Sequence, residues 1–84
     1  MGERAEFSLS RHARRRMSQR GVTRKQIALT LEQPDRVERD VGDVELLHAI
    51  RRFGGRVLRV VYNHVARPPR VVTVFFDRRL GRRP

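Results

Sequence analysis

The sequence predicts an α+β fold in which two N-terminal helices pack on one face of a three- to four-stranded antiparallel sheet. Three observations carry that prediction. Residues 56–79, RVLRVVYNHVARPPRVVTVFFDRR, are rich in β-branched and aromatic side chains, the composition of a pleated, half-buried surface. Gly54-Gly55 stands immediately before that run and supplies a tight turn into it from the apolar stretch upstream. Thr23 and Gln26 have the T-x-x-Q spacing of a capping box, which marks a helix start well before the strands begin.

Taken in order, residues 1–8 read as a flexible lead-in, at whose end Phe7 and Leu9 alternate with Glu6 and Ser8 and can form a short edge strand. Ser10 is placed to cap a helix from Arg11 to Arg20, its hydroxyl accepting from an orphan N–H of the first turn. Gly21 falls where a left-handed residue ends such a helix. Ala13 and Met17, four apart, give this helix only a narrow apolar stripe, so most of its surface stays wet.

The second helix follows the Thr23 cap, with Val22 placed to staple onto Ile27 and with Ile27, Ala28 and Leu31 as its buried stripe. Pro34 closes it near Gln33 by disfavouring the helical conformation there. Residues 36–41 alternate charge around Val37, as an edge strand does, and 41–43 turn the chain. Residues 44–53 make a second strand, with Leu46, His48 and Ile50 on one face and Leu47, Ala49 and Phe53 on the other. The third strand starts at Arg56. The paired prolines Pro68 and Pro69 stop the sheet, which restarts at Arg70. Residues 80–84 read as a frayed basic tail.

The 84 residues suffice for one domain with one modest core. With no cysteine, neither disulfides nor thiolate metal ligands hold it together, so apolar packing must. No stretch resembles a secretory segment or a membrane span, which makes a soluble cytoplasmic protein without membrane contact the expectation. The charge is more informative. The net charge is +11, and Lys25 is the only lysine, so nearly all of it is guanidinium, a planar fork of donors suited to phosphate and carboxylate. A polyanionic partner, nucleic acid or an acidic protein, is the reading this supports; a merely solubilising surface is the alternative.

Particular residues sharpen it. His12, Arg16 and Arg20 are spaced i, i+4, i+8 on one ridge of the first helix, with no carboxylate between them, an arrangement that costs free energy unless an anion meets it. His12 has an imidazole suited to proton transfer near neutrality; a structural imidazole bonded at the helix start is the alternative. Arg59 interrupts an apolar strand on the face of Val57 and Val61 and needs an acceptor, for which Asp77 or Glu45 is in range; without one, a phosphate is its natural partner. Arg78 and Arg79 follow the last strand and can clamp a phosphate. The three histidines lack any compact ligand spacing and the carboxylates are scattered, so no metal site and no cofactor is expected. Hydrolase, nucleotidase and dehydrogenase fingerprints are absent.

The run S-R-H-A-R-R-R-M-S-Q-R-G-V-T, with I-A-L-T-L-E-Q-P-D, L-R-V-V-Y-N and V-V-T-V-F-F-D-R-R after it, resembles the domain of unknown function 4258 family. The order of helices and strands, with R-G-V-T before the second helix, is also similar to BrnT toxins of the RelE/ParE-like group. That likeness implies a RelE-like fold, a basic sheet face open to RNA, and an acidic antitoxin partner. It further implies metal-independent endoribonuclease action and places His12 in the family's motif; with the residue arguments above, His12, Arg16 and Arg59 are the expected catalytic set, and Arg20, Arg78 and Arg79 are expected to hold the nucleic acid. The competing functional classes are a non-catalytic module for nucleic acid or an acidic protein segment, and a structural domain whose arginines serve internal ion pairs.

Overall fold

Ser10 starts the first helix as its spacing predicts: in the computed structural model, which describes residues 6–81, its Oγ accepts from the Ala13 N–H at 2.9 Å. That helix, α1 (Arg11–Arg20), ends at Gly21, whose φ of 67° lets the chain turn back while its neighbour Val22 donates to the Met17 carbonyl. The next helix, α2 (Arg24–Glu32), carries both halves of the capping box, Gln26 N–H to Thr23 Oγ1 and Thr23 N–H to Gln26 Oε1, each 3.0 Å. Two orphan donors are thus satisfied by two side chains.

The strands are β1 (Ser8–Leu9), β2 (Arg36–Arg39), β3 (Leu46–Phe53), β4 (Arg56–Asn63) and β5 (Arg70–Phe76). They form one sheet in the order β1-β5-β4-β3-β2. The expectation of three or four antiparallel strands is corrected in two respects, number and sense. Ser8, expected in the lead-in, pairs with Arg70, and Leu9 with Val71, so the short edge strand expected around Phe7 and Leu9 forms over Ser8–Leu9 and runs parallel to β5. The reason is connectivity: the helices and three antiparallel strands return the chain to its starting edge in the starting direction, where the Ser8 N–H finds the Pro69 carbonyl at 2.9 Å.

Smaller corrections have local causes. β2 stops at Arg39 because the Asp40 carboxylate takes the Gly42 N–H, and β3 starts two residues late because Asp43 takes the Glu45 N–H. The basic tail is in part a third helix, α3 (Arg78–Gly81), begun by the Arg79 N–H on Asp77 Oδ1 and closed by Arg52 Nη2 on the Leu80 carbonyl. Residues 1–5 and 82–84, to which the lead-in and tail were also assigned, lie outside the described residues.

Both long helices cover one face. Ala13, Val22 and Ile27 from the helical side close on Leu58, Val60, Val71 and Val74 of the sheet, all at most 4 % exposed. Leu9, Met17, Leu31, Tyr62 and Phe76 border that core. The strand parity of β4 then sends Val57, Arg59 and Val61 to the opposite face.

Candidate functional site

The face away from α1 and α2 is set by register. Ile50 pairs with Arg59 and His48 with Val61 across β3 and β4; Arg36 and Glu38 of β2 stand beside Ile50 and His48. On the other side Phe75 pairs with Arg59 and Thr73 with Val61. The Asp77 N–H continues this ladder onto the Val57 carbonyl at 2.8 Å, which brings Asp77 to the same face. Arg36, Glu38, His48, Arg59, Thr73 and Asp77 therefore share one surface of the sheet.

Arg59 sits at its centre, 9 % exposed, and its guanidinium is fully engaged. Asp77 Oδ2 lies 3.0 Å from Nη2 and 3.1 Å from Nε; Nη1 reaches Glu38 Oε1 at 3.2 Å and His48 Nδ1 at 3.0 Å. A guanidinium has no acceptor atom, so His48 must hold its lone pair at Nδ1 and carry its proton at Nε2. That proton points to Asp40 Oδ1 at 2.7 Å. The result is a hydrogen-bonded chain running from Asp40 through the neutral His48 and Arg59 to Asp77, with Arg36 attached through Glu38 at 3.0 Å. The hydrogen bond from His48, helped by the Gly42 N–H, holds the Asp40 carboxyl below its usual range. Burial alone would raise Asp77, but the hydrogen bond and charge of Arg59, with a smaller share from Arg79, more than reverse it.

The ridge on α1 is a different environment. His12 Nε2 is 3.1 Å from Thr73 Oγ1 and 3.4 Å from Arg16 Nε. Because Arg16 can only donate, the His12 lone pair is at Nε2 and its proton at Nδ1, the opposite tautomer from His48. Arg16 is braced by its Nη1 on Gln19 Oε1 at 2.7 Å. Among the described residues, Arg11, Arg14, Arg15, Arg16 and Arg20 have no carboxylate at ion-pair distance. The register places Thr73 one diagonal step from Arg59, at about 7–8 Å, while the hydrogen bonds of Arg59 go to Asp77, Glu38 and His48.

His12 and Arg16 are thus brought together, and Arg20 continues their ridge. Arg59 makes no hydrogen bond to His12 or Arg16; its donors are taken by Asp77, Glu38 and His48. Asp77, one of its two expected acceptors, is used; Glu45, the other, accepts instead from Asn63 Nδ2 at 3.1 Å. Arg78 and Arg79 begin α3 at the far end of β5. Asp77 is four residues past Thr73, about 13 Å along an extended strand, and Arg79 keeps only a long 3.7 Å contact to Asp77 while 89 % exposed. Sequence reasoning missed His48 and Glu38 as parts of this network. The signal for His48 was present: a two-residue turn at Gly54-Gly55 pairs Phe53 with Arg56, which puts Ile50 opposite Arg59 and His48 a diagonal away. No local signal marks Glu38. Tyr62 faces the helices, and burial raises its phenol above the ordinary value of 10.0, which suits it to packing.

Among the described residues no group of three or more histidine, cysteine, aspartate or glutamate side chains is placed to hold a metal ion, and no helix is long and apolar enough to cross a membrane. Fold and site together define a small α+β protein whose first helix presents guanidinium groups without a carboxylate partner among the described residues, and an exposed imidazole, beside a five-stranded mixed sheet. The chain belongs to the DUF4258 family: the family model described as Domain of unknown function (DUF4258) matches residues 9–76. No curated protein and no solved structure matches it.

Proposed function

We propose that this protein binds RNA through the exposed side of α1 and, as a RelE/BrnT-like toxin component of the cytoplasm, cleaves it without a metal. The observation that supports the reading best is the pairing of His12 with Arg16 on a ridge without carboxylates. In this reaction the ribose 2′-hydroxyl gives its proton to His12 Nε2, competing there with the Thr73 hydroxyl, while its oxygen attacks the adjacent phosphorus. Arg16 stabilises the added charge on the phosphorane, and the departing 5′-oxygen takes a proton from solvent. Arg20 holds a neighbouring phosphate and Arg78 and Arg79 a more distant one. Arg59, tied to Asp77 and Glu38, supports the strand positions on which Thr73 and His12 rest. An acidic antitoxin protein is the partner this reading carries with it.

A non-catalytic RNA-binding module is the second reading, favoured by the internal pairing of Arg59, which leaves that guanidinium unavailable to meet a phosphorane. Incubating the protein with a single-stranded RNA and analysing the ends separates the two. Cleavage yielding 2′,3′-cyclic phosphate, lost in His12→Ala with RNA binding retained, supports the ribonuclease. Binding that weakens steeply with salt, without cleavage, supports the module. A flat salt response removes both.

A further inference from the structure

The opposite flank of α1 carries a second surface, unrelated to His12. Two adjoining hollows of about 470 and 640 Å³ share Leu9 and Arg14 in their walls. Arg11, Arg14 and Ser18 lie at i, i+3, i+7 along α1, on the side turned away from His12 and Arg16. Together the hollows make a groove about 10 Å long, two turns of helix, running from Arg70 at the start of β5 to Arg24 at the start of α2. Its floor is apolar: half-buried Leu9 and Met17, and Val22 at 4 % exposure. Its rim is cationic, formed by Arg11, Arg14, Arg24 and Arg70. None of the four has a carboxylate at ion-pair distance among the described residues.

We propose that this groove is a docking surface for an acidic, amphipathic helical segment of a partner protein. An apolar floor between basic rims matches a helix with leucine-like side chains at i and i+4 and carboxylates on both shoulders. The same floor disfavours RNA. It offers no side-chain donors to read base edges, and the nearby Phe7 ring is already covered by the Arg24 guanidinium, 4.8 Å above its centre, which removes it as a stacking platform. Because the groove and the His12 ridge lie on opposite flanks of α1, the proposal stands whether or not the protein cleaves RNA.

Two synthetic peptides of identical leucine and glutamate content test it, one with its leucines on a single helical face and the other shuffled, each titrated with the full-length protein by fluorescence anisotropy. The ordered peptide is expected to bind roughly tenfold tighter or better, the effect of burying one leucine well. Arg14→Glu combined with Arg70→Glu abolishes that preference, whereas Arg39→Glu, at the far edge of the sheet, preserves it. Equal affinity for the two peptides, or no binding of either, overturns the proposal. So does displacement of the ordered peptide by a short single-stranded RNA at equal concentration, which would make the groove part of an RNA path.

Discussion

His48 accepts a hydrogen bond from Arg59 at 3.0 Å, and this single contact fixes which ring nitrogen carries the imidazole proton. Arginine cannot accept, so His48 is the Nε2–H tautomer, while His12, which accepts from Arg16, is the Nδ1–H tautomer. Long-range ¹H–¹⁵N spectra at mildly alkaline pH distinguish the two ring forms. The same tautomer for both residues would contradict the hydrogen-bond network.

Arg59 is expected to be a stability residue first. Arg59→Ala leaves the Asp77 carboxylate, only 4 % exposed at its side chain, without its principal partner; breaking such a buried pair costs about 3–5 kcal/mol. Arg59→Met with Asp77→Asn should cost less than the sum of the two single changes, because the pair is coupled. Urea unfolding of the four proteins reads this directly. Additive losses would mean that the contact contributes little.

Acid should destabilise the fold through the same network. Asp40 and Asp77 both have folded-state values below the ordinary 3.8, so each binds its proton less readily folded than unfolded. Their stabilisation is complete above 3.8 and is lost as pH falls through the lower folded values. Thermal melts across the acid range should therefore show a falling Tm. The decline should be shallower in Asp77→Asn, which has one fewer such group to protonate.

The capping box at the start of α2 contributes independently of the site. Thr23→Ala removes the acceptor for the Gln26 N–H and should cost about 1 kcal/mol, with Thr23→Ser near neutral. Denaturant midpoints at unchanged slope would show it.

Deleting Val72 should be tolerated better than its place inside a strand suggests. Val61 pairs with Thr73 but Tyr62 pairs with Val71, so Val72 is the extra residue of a bulge. Removing it leaves Val71 opposite Tyr62 and Thr73 opposite Val61 in an unbroken ladder, so Thr73, Phe75 and Asp77 keep their side and the Arg59–Asp77 pair survives. A loss of stability as large as that of Arg59→Ala, read by urea unfolding, would show that the bulge itself is needed for that pair.

Much of this was legible in the chain. Ser10, Gly21 and the Thr23–Gln26 pair mark the helix ends because capping depends on residues within three or four positions of each other. The Gly54-Gly55 turn, with Gly54 at φ 62°, likewise fixes the β3–β4 register locally. The basic ridge of His12, Arg16 and Arg20 follows from helical spacing alone. Less legible were β1, whose two residues are stabilised by a strand some sixty positions away, and Glu38, which meets Arg59 only because β2 closes the far edge of the sheet.

By itself the sequence determined the two long helices, the four antiparallel strands, the one sharp hairpin, and a surface dominated by guanidinium groups. These are matters of composition and short-range spacing. Tertiary structure decided what Arg59 faces. A bulge shifts β5 by one residue, and since side chains alternate with a period of two, that single step turns Thr73, Phe75 and Asp77 to the side of Arg59. Nothing within the strand specifies the step, because it is fixed by how two strands joined through a proline-containing loop settle against each other and against the helices.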